Sequence, residues 1–291
     1  MRASSPADLE ALSPQEVHLP SGVALHWVRE GQGTPLVMVH GAMGDWRSWT
    51  AQWPALVPHY DCISYSRRYS HPNHNTMPSP DHSALDEAED LSALLQALGL
   101  SRAIVVGSSY GGFTALALAL RHPEQVMAVV AVEPPMMKYA EQSEAGRAVV
   151  QAFRQNTIEP ANALFRAGRD EEASRIMTGG INGGAGQTRH SDEAMRRRLQ
   201  NMRAMKALAL SSDEFPWLPP EQLAALPMPT LLLSGADTAP VHRAIFDQVV
   251  QAMPQAEHHR VQGSGHGVSR EQPEVFNRLV LEFLQRRLPQ A

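Results

Sequence analysis

The chain has a single cysteine, Cys62, among 291 residues. It can form no internal disulfide, and its place in the apolar run Cys62-Ile63 fits a buried thiol better than a nucleophile. Positive charge is in the minority. The 25 Lys and Arg stand against 30 Asp and Glu, a net charge of −5, which argues against a nucleic-acid partner. The cluster Arg196-Arg197-Arg198 falls in a helical pattern and reads as a solvated face. Long apolar runs are missing too. The longest, Phe113 to Leu120, includes Thr114 and stops at Arg121, and a membrane span needs about 20 such residues. The opening Met1-Arg2-Ala3-Ser4-Ser5-Pro6 has no apolar core of signal-peptide length. The expected address is therefore the cytoplasm. No internal repeat and no low-complexity tract stands out, and nothing in the sequence reads on oligomeric state.

Hydrophobic residues make up 43% and charged residues 19%. That balance and length suit one large α/β domain with an insertion, or two small domains. Val23 to Val28 alternates like an early antiparallel strand. Pro35 to His40 is a continuous apolar run, as a buried parallel strand should be. Further strand signals fall at Asp61 to Tyr65, at 103–106, at Val126 to Val132, at Thr230 to Ser234 and at His258 to Val261. Between them lie helical patterns at Leu85 to Leu98, Phe113 to Leu120, Ile245 to Met253 and Phe276 to Leu288. Strands alternating with helices imply a parallel sheet covered on both faces. The rhythm breaks between Pro134 and Pro229. Residues 138–217 read instead as several helices inserted in a core of 1–137 and 218–291. Gly179-Gly180-Ile181-Asn182-Gly183-Gly184 reads as a flexible loop among them. Near 193–209, Met195, Leu199, Met202 and Leu208 fall roughly on one helical face, either packing on the core or walling a substrate pocket.

The most informative segment is Ile104-Val105-Val106-Gly107-Ser108-Ser109-Tyr110-Gly111-Gly112. A β-branched run meets a Gly-x-Ser-x-Gly turn, and a helix pattern follows. Such a turn is so tight that the positions two before and two after the serine tolerate almost no side chain, and it lifts the serine hydroxyl above the sheet. The plainer alternative is a serine in an ordinary glycine-rich turn. A serine needs a base within hydrogen-bond reach. Of 13 histidines, His266 stands on a glycine-flanked loop after the last strand. His258 and His259 sit within a strand pattern, and His122 lies in a helix-end Arg-His-Pro. His71 and His74 are three apart on a loop without a further ligand cluster, so metal binding there is disfavoured.

Three signals agree in order: His40-Gly41-Ala42-Met43-Gly44 after a strand, Gly107-Ser108-Ser109-Tyr110-Gly111 at the turn, and Gly263-Ser264-Gly265-His266 after the last strand. With them the chain resembles the α/β-hydrolase superfamily over about residues 20–288. The resemblance implies an α/β-hydrolase fold: a mostly parallel central sheet flanked by helices, with an inserted helical cap. It implies Ser109 as nucleophile, His266 as base, and the backbone N–H groups of Ala42 and Tyr110 as an oxyanion hole, Met43 being a poorer donor candidate. For the acid, two carboxylates compete. Glu133 ends the strand Val129 to Val132 and matches the alternative acid site of some family members, so it is preferred. Asp237 follows the penultimate strand, where the family usually keeps its acid, but the usual slot three residues after Gly235 holds Thr238. The plainer alternatives are a strand-end carboxylate on loop N–H groups for Glu133 and a loop-capping turn residue for Asp237. Where the family often has an Asp-x-Arg-Gly turn, this chain has Ser66-Arg67-Arg68-Tyr69. Those arginines read as loop-fixing cations rather than substrate ligands.

The resemblance implies hydrolysis of a carboxylic ester of a small, largely apolar substrate through an acyl-enzyme, with no metal or organic cofactor required. Carbon–carbon, thioester or lactone hydrolysis and perhydrolysis use the same residues, since fold does not separate these chemistries. The first is disfavoured, because such members usually have a more Gly/Pro-rich oxyanion segment than Gly41-Ala42-Met43-Gly44. Dehalogenase and epoxide hydrolase chemistry is disfavoured because those members carry aspartate where Ser109 stands. The alternative from another class is a non-catalytic ligand-binding protein on the same scaffold.

Overall fold

The computed structural model describes residues 8–79, 81–183 and 192–288. Eight strands form one sheet: β1 (Gln15–His18), β2 (Ala24–Glu30), β3 (Pro35–Val39), β4 (Asp61–Tyr65), β5 (Ala103–Ser108), β6 (Val126–Val132), β7 (Thr230–Gly235) and β8 (Glu257–Val261). Their spatial order is β1-β2-β4-β3-β5-β6-β7-β8. The β1–β2 and β2–β4 pairings are antiparallel and every other pairing is parallel.

The uninterrupted apolar runs of the central strands follow from burial on both faces. Alternate residues feed two separate cores, as the period of two requires. Val37, Val39, Val105, Val129, Ala131 and Leu232 turn to one face. Leu36, Met38, Ile104, Val106, Val130 and Leu231 turn to the other. The first face is covered by helices α1 (Ala84–Ala97) and α2 (Tyr110–Arg121) and by a later helix beginning at Pro240. Ser83 and Asp86 close a capping box at the start of α1.

Between β6 and β7 the chain leaves the sheet. Its longer helices there are α3 (Glu144–Phe153), α4 (Glu159–Arg166), α5 (Asp170–Ile181), α6 (Asp192–Gln200) and α7 (Met202–Leu210). A π-helical turn, Arg154–Ile158, joins α3 to α4. The segment has its own small core, with Phe165, Ala173, Met177, Met205 and Ala209 buried together. After β7 come α8 (Pro240–Ala252) and, at the end of the described chain, α9 (Pro273–Arg287), which packs Phe276, Val280, Phe283 and Leu284 on the second face.

Two expectations for this segment need correction. The glycine run is not a loop up to Ile181, because α5 passes straight through Gly179 and Gly180. Gly180 presses against the π turn so closely that a Cβ would lie 2.1 Å from Thr157 Oγ1. Gly184 lies outside the described residues. The stretch 193–209 is two helices, broken at the buried Asn201. The break rotates the second helix, so Met195, Leu199, Met202 and Leu208 stay half-buried while Ala204, Met205, Ala207 and Ala209 turn inward.

Candidate active site

The C-terminal ends of β3, β5, β6 and β8 converge at one edge of the sheet. Ser109 sits between β5 and α2 with φ 53° and ψ −117°, a backbone region that a residue with a Cβ enters only under strain. Three hydrogen bonds hold it there. The Ser109 N–H donates to Val132 O at 2.7 Å, and the N–H groups of Gly112 and Phe113 donate to Ser109 O at 2.8 and 3.1 Å. The flanking glycines are required by contact. A Cβ at Gly107 would lie 2.0 Å from Gly111 O, and one at Gly111 would lie 2.0 Å from Val39 O. The turn thus packs against β3 on one side and is tied to β6 on the other.

Because β5 and β6 pair directly, Glu133 follows Val132 beside the elbow, and it too has positive φ, 40°. Its carboxylate is buried and accepts four hydrogen bonds. Ser234 Oγ and the Gly235 N–H donate to Oε1 at 2.7 and 2.9 Å. Thr238 Oγ1 donates to Oε2 at 2.9 Å, and His266 Nδ1 donates to the same oxygen at 2.6 Å. Burial alone would raise the Glu133 carboxyl. The His266 hydrogen bond and charge, with help from Ser234, reverse this and hold it down at about 2. Since an ionised carboxylate only accepts, the neutral form of His266 carries its proton on Nδ1 and keeps the lone pair on Nε2. The Asp237 side chain is exposed and takes no part in this network. Its backbone N–H donates to Ser264 O at 2.9 Å, which ties the β7 loop to the His266 loop. Thr238, which stands in the family's usual acid slot, supplies a hydroxyl to Glu133 instead.

The N–H groups of Ala42 and Tyr110 meet no acceptor among the described residues. Tyr110 opens α2, where a helix leaves its first N–H groups without intrahelical partners. The loop carrying Ala42 is fixed by His40. That buried ring donates from Nδ1 to Gly41 O at 2.8 Å and accepts the Arg67 N–H on Nε2 at 3.0 Å. Burial holds His40 down at about 3, so it stays neutral. Arg67 and Arg68 fix loops: Arg67 pairs with Glu87 and stacks over the Tyr110 ring at 3.7 Å, and Arg68 forks onto Asp90 at 2.7 Å.

His242, on α8, is a residue the sequence did not single out. It is buried and its ring stacks on that of His266, centroids 4.0 Å apart and planes 20° apart. Its Nε2 donates to Ile181 O at 2.9 Å, so the base candidate is braced against the end of α5. Burial, then the neighbouring His266, keep it neutral, with its pKa down at about 3. Glu133, His242 and His266 offer ligand atoms within 4.8 Å of one another. They do not fit a metal cage. The two rings run side by side, so their in-plane lone pairs do not converge, and His266 Nδ1 and His242 Nε2 are committed to Glu133 and Ile181. Asn201 was likewise hidden in the sequence. Its side chain donates to Asp45 Oδ2 at 3.0 Å and accepts from the His71 N–H at 2.8 Å, joining the inserted segment to two core loops.

Ser109 lies between two cavities. One, of about 260 Å³, is a polar mouth whose walls include Ser109, His266, Asp45, Arg47, Arg198 and Arg270. The other, of about 60 Å³, is apolar, with Phe153, Met177, Ile181, Leu208, Phe215 and Ile245 among its walls. Ala42 lines both. Of the four half-buried residues of the expected stripe, Leu208 is the one that reaches the apolar chamber.

The sequence model described as alpha/beta hydrolase fold matches residues 34–273. The chain is 28% identical over 305 aligned positions to a 2-hydroxy-6-oxononadienedioate/2-hydroxy-6-oxononatrienedioate hydrolase of Paraburkholderia xenovorans (strain LB400), covering 98% of this chain and 99% of that protein. It is 28% identical over 260 positions to a candidate carbamate hydrolase of Caulobacter sp. (strain K31), covering 86% and 90%. Among solved structures, a thermophilic esterase from Thermogutta terrifontis superposes with a TM-score of 0.72 at 22% identity, over 94% of this chain and 99% of that one. A family match across most of the chain, on a mostly parallel eight-stranded sheet with a serine elbow after β5, leads to one conclusion: this chain belongs to the α/β-hydrolase family.

Proposed function

We propose that the chain is a serine hydrolase that cleaves carboxylic esters through an acyl-enzyme, with Ser109, His266 and Glu133 as its triad. The 2.6 Å bond from His266 Nδ1 to Glu133 Oε2 carries this reading, because it leaves Nε2 free as a base beside a cavity that Ser109 also lines. Ser109 Oγ attacks the ester carbonyl while His266 Nε2 takes its proton. The oxyanion that forms accepts hydrogen bonds from the Ala42 and Tyr110 N–H groups. His266 then protonates the departing alcohol, and later draws a proton from the water that opens the acyl-enzyme. Glu133 stays ionised throughout, fixes the tautomer and offsets the imidazolium charge. The inserted helices act as a cap, and the apolar chamber takes the hydrocarbon arm of the substrate.

A fluorophosphonate probe tests the nucleophile. Ser109 should label covalently and the Ser109→Ala protein should not, with p-nitrophenyl ester cleavage lost in parallel. A folded wild-type protein that neither labels nor cleaves would sink the reading in favour of a binding protein. One second reading has an observation behind it. One relative aligned over nearly the whole chain is named a 2-hydroxy-6-oxononadienedioate hydrolase, and that compound contains no ester, so its hydrolysis breaks a carbon–carbon bond. Loss of that substrate's near-ultraviolet absorbance, with kcat/KM above that for any ester, would favour it.

A further inference from the structure

Four arginines, Arg47, Arg197, Arg198 and Arg270, stand in the wall of the polar mouth beside Ser109. Three of them are paired with carboxylates. Arg47 forks onto Asp45 at 2.9 and 2.6 Å. Arg197 reaches both oxygens of Glu10, at 2.5 and 2.8 Å, and also Glu193. Arg270 donates to Glu271 at 2.9 Å. Among the described residues no carboxylate pairs with Arg198. Among the described residues its guanidinium meets only the Met43 sulfur, 4.0 Å away, so nearly all of its five donors are open toward the mouth. It is partly buried, and burial together with the positive charge of Arg270 pushes its pKa down to about 10. A desolvated guanidinium without a counter-ion is costly to the fold. Arg198 comes from α6 of the inserted segment, while Arg270 follows the His266 loop in the core, so an anion between them would join the two parts of the molecule.

We propose that Arg198, assisted by Arg270, is an anion subsite, and that the preferred substrate is an ester whose arm in the polar mouth ends in a free carboxylate. This rests on the serine-hydrolase reading above. A planar guanidinium matches a carboxylate in two parallel hydrogen bonds. The arrangement divides the substrate by polarity. The hydrocarbon arm lies in the apolar chamber, the ester carbon stands over Ser109, and the charged end lies between α6 and the His266 loop. The expectation of a largely apolar substrate then describes one arm of it, and the reading of Arg196 to Arg198 as a solvated face does not extend to Arg198.

The test uses matched pairs in which a carboxylate is exchanged for a carboxamide of the same shape. One pair carries the group on the acyl arm, as p-nitrophenyl hydrogen glutarate and its monoamide. The other carries it on the leaving arm, as 4-carboxyphenyl and 4-carbamoylphenyl butyrate. In the wild type at least one pair should show the carboxylate preferred in kcat/KM by roughly tenfold to a hundredfold, the size of one charge-assisted hydrogen bond. Arg198→Met should collapse that ratio toward one, Arg198→Lys should restore part of it, and added salt should lower it only in proteins that keep the cation. Ratios near one for both pairs in the wild type overturn the proposal. A strong preference that Arg198→Met leaves in place overturns it equally. Titration calorimetry of 4-butoxybenzoate and 4-butoxybenzamide into the Ser109→Ala protein gives a readout free of catalysis. Tighter binding of the carboxylate that depends on Arg198 supports the subsite even where no ester is cleaved, and equal binding of the two rejects it.

Discussion

Glu133 combines positive φ with a buried carboxylate that accepts four hydrogen bonds, two of them on the oxygen that meets His266. Exchanging that oxygen for an amide NH2 places a donor against His266 Nδ1 and favours the wrong imidazole tautomer. Glu133→Gln should therefore lower kcat on p-nitrophenyl butyrate on the order of a hundredfold or more, with little change in KM. Asp237→Asn removes an exposed charge outside the network and should leave kcat within about threefold. The opposite ranking, measured on the same ester, would return the acid to the loop after β7. What the sequence tells at this scale depends on locality. Ser109 and His266 can be placed because glycines flank them and a strand precedes each. Glu133 can be weighed against Asp237 because the vacated slot at Thr238 is visible in the one-dimensional pattern. His242 and Asn201 cannot be found that way. Their partners are Ile181 O, Asp45 and the His71 N–H, which are far away in the chain or are backbone atoms with no signature of their own.

Helix α5 shows how an element is misread when composition is taken for conformation. Two consecutive glycines suggest a loop because each costs about 1 kcal/mol relative to alanine in a helix interior. Here one of them is needed for packing and the other is not. Gly180 meets Thr157 of the π turn at a distance that excludes a methyl group, whereas a Cβ at Gly179 would meet nothing within 4 Å. Gly179→Ala should raise the thermal midpoint, by an amount corresponding to roughly 0.5–1 kcal/mol. Gly180→Ala should lower it by about 1–3 kcal/mol, the usual range for overpacking. Differential scanning calorimetry of the two variants decides between this account and a simple intolerance of glycine. Because Ile181 closes α5 and accepts from His242, the Gly180 variant should also lose more ester cleavage than the Gly179 variant. The strands posed no such difficulty. Their apolar runs are long, uninterrupted and bounded by turn residues, and burial on both faces leaves no other reading.

At the scale of the whole molecule, pH acts in two opposite directions. Glu214, buried beside Tyr110 behind the elbow, has its pKa raised from 4.5 to about 7, chiefly by desolvation. The folded state therefore holds this proton more tightly than the unfolded chain. Its contribution to stability is complete below pH 4.5 and is lost as pH rises to about 7, a change on the order of 3 kcal/mol at most. Glu133 runs the other way. Its contribution is present above pH 4.5 and is lost as pH falls toward 2. Glu214→Gln should leave the thermal midpoint near the wild-type value at pH 5 and exceed it at pH 8. A difference independent of pH would refute the burial argument. The overall topology is largely readable from the alternation of strands and helices, but the proposed division of the substrate between the two cavities is not, since it depends on where α6 places Arg198. The strand order carries one last consequence, for the time course of folding. Ser109 and Glu133 belong to a single β-α-β unit on directly paired strands, whereas His266 follows β8, the edge strand of the sheet. In a refolding experiment, helix and sheet signals can return with the core while ester cleavage waits for the edge strand to dock. The enzyme would then act as its own clock, reporting the moment at which the last strand joins the sheet.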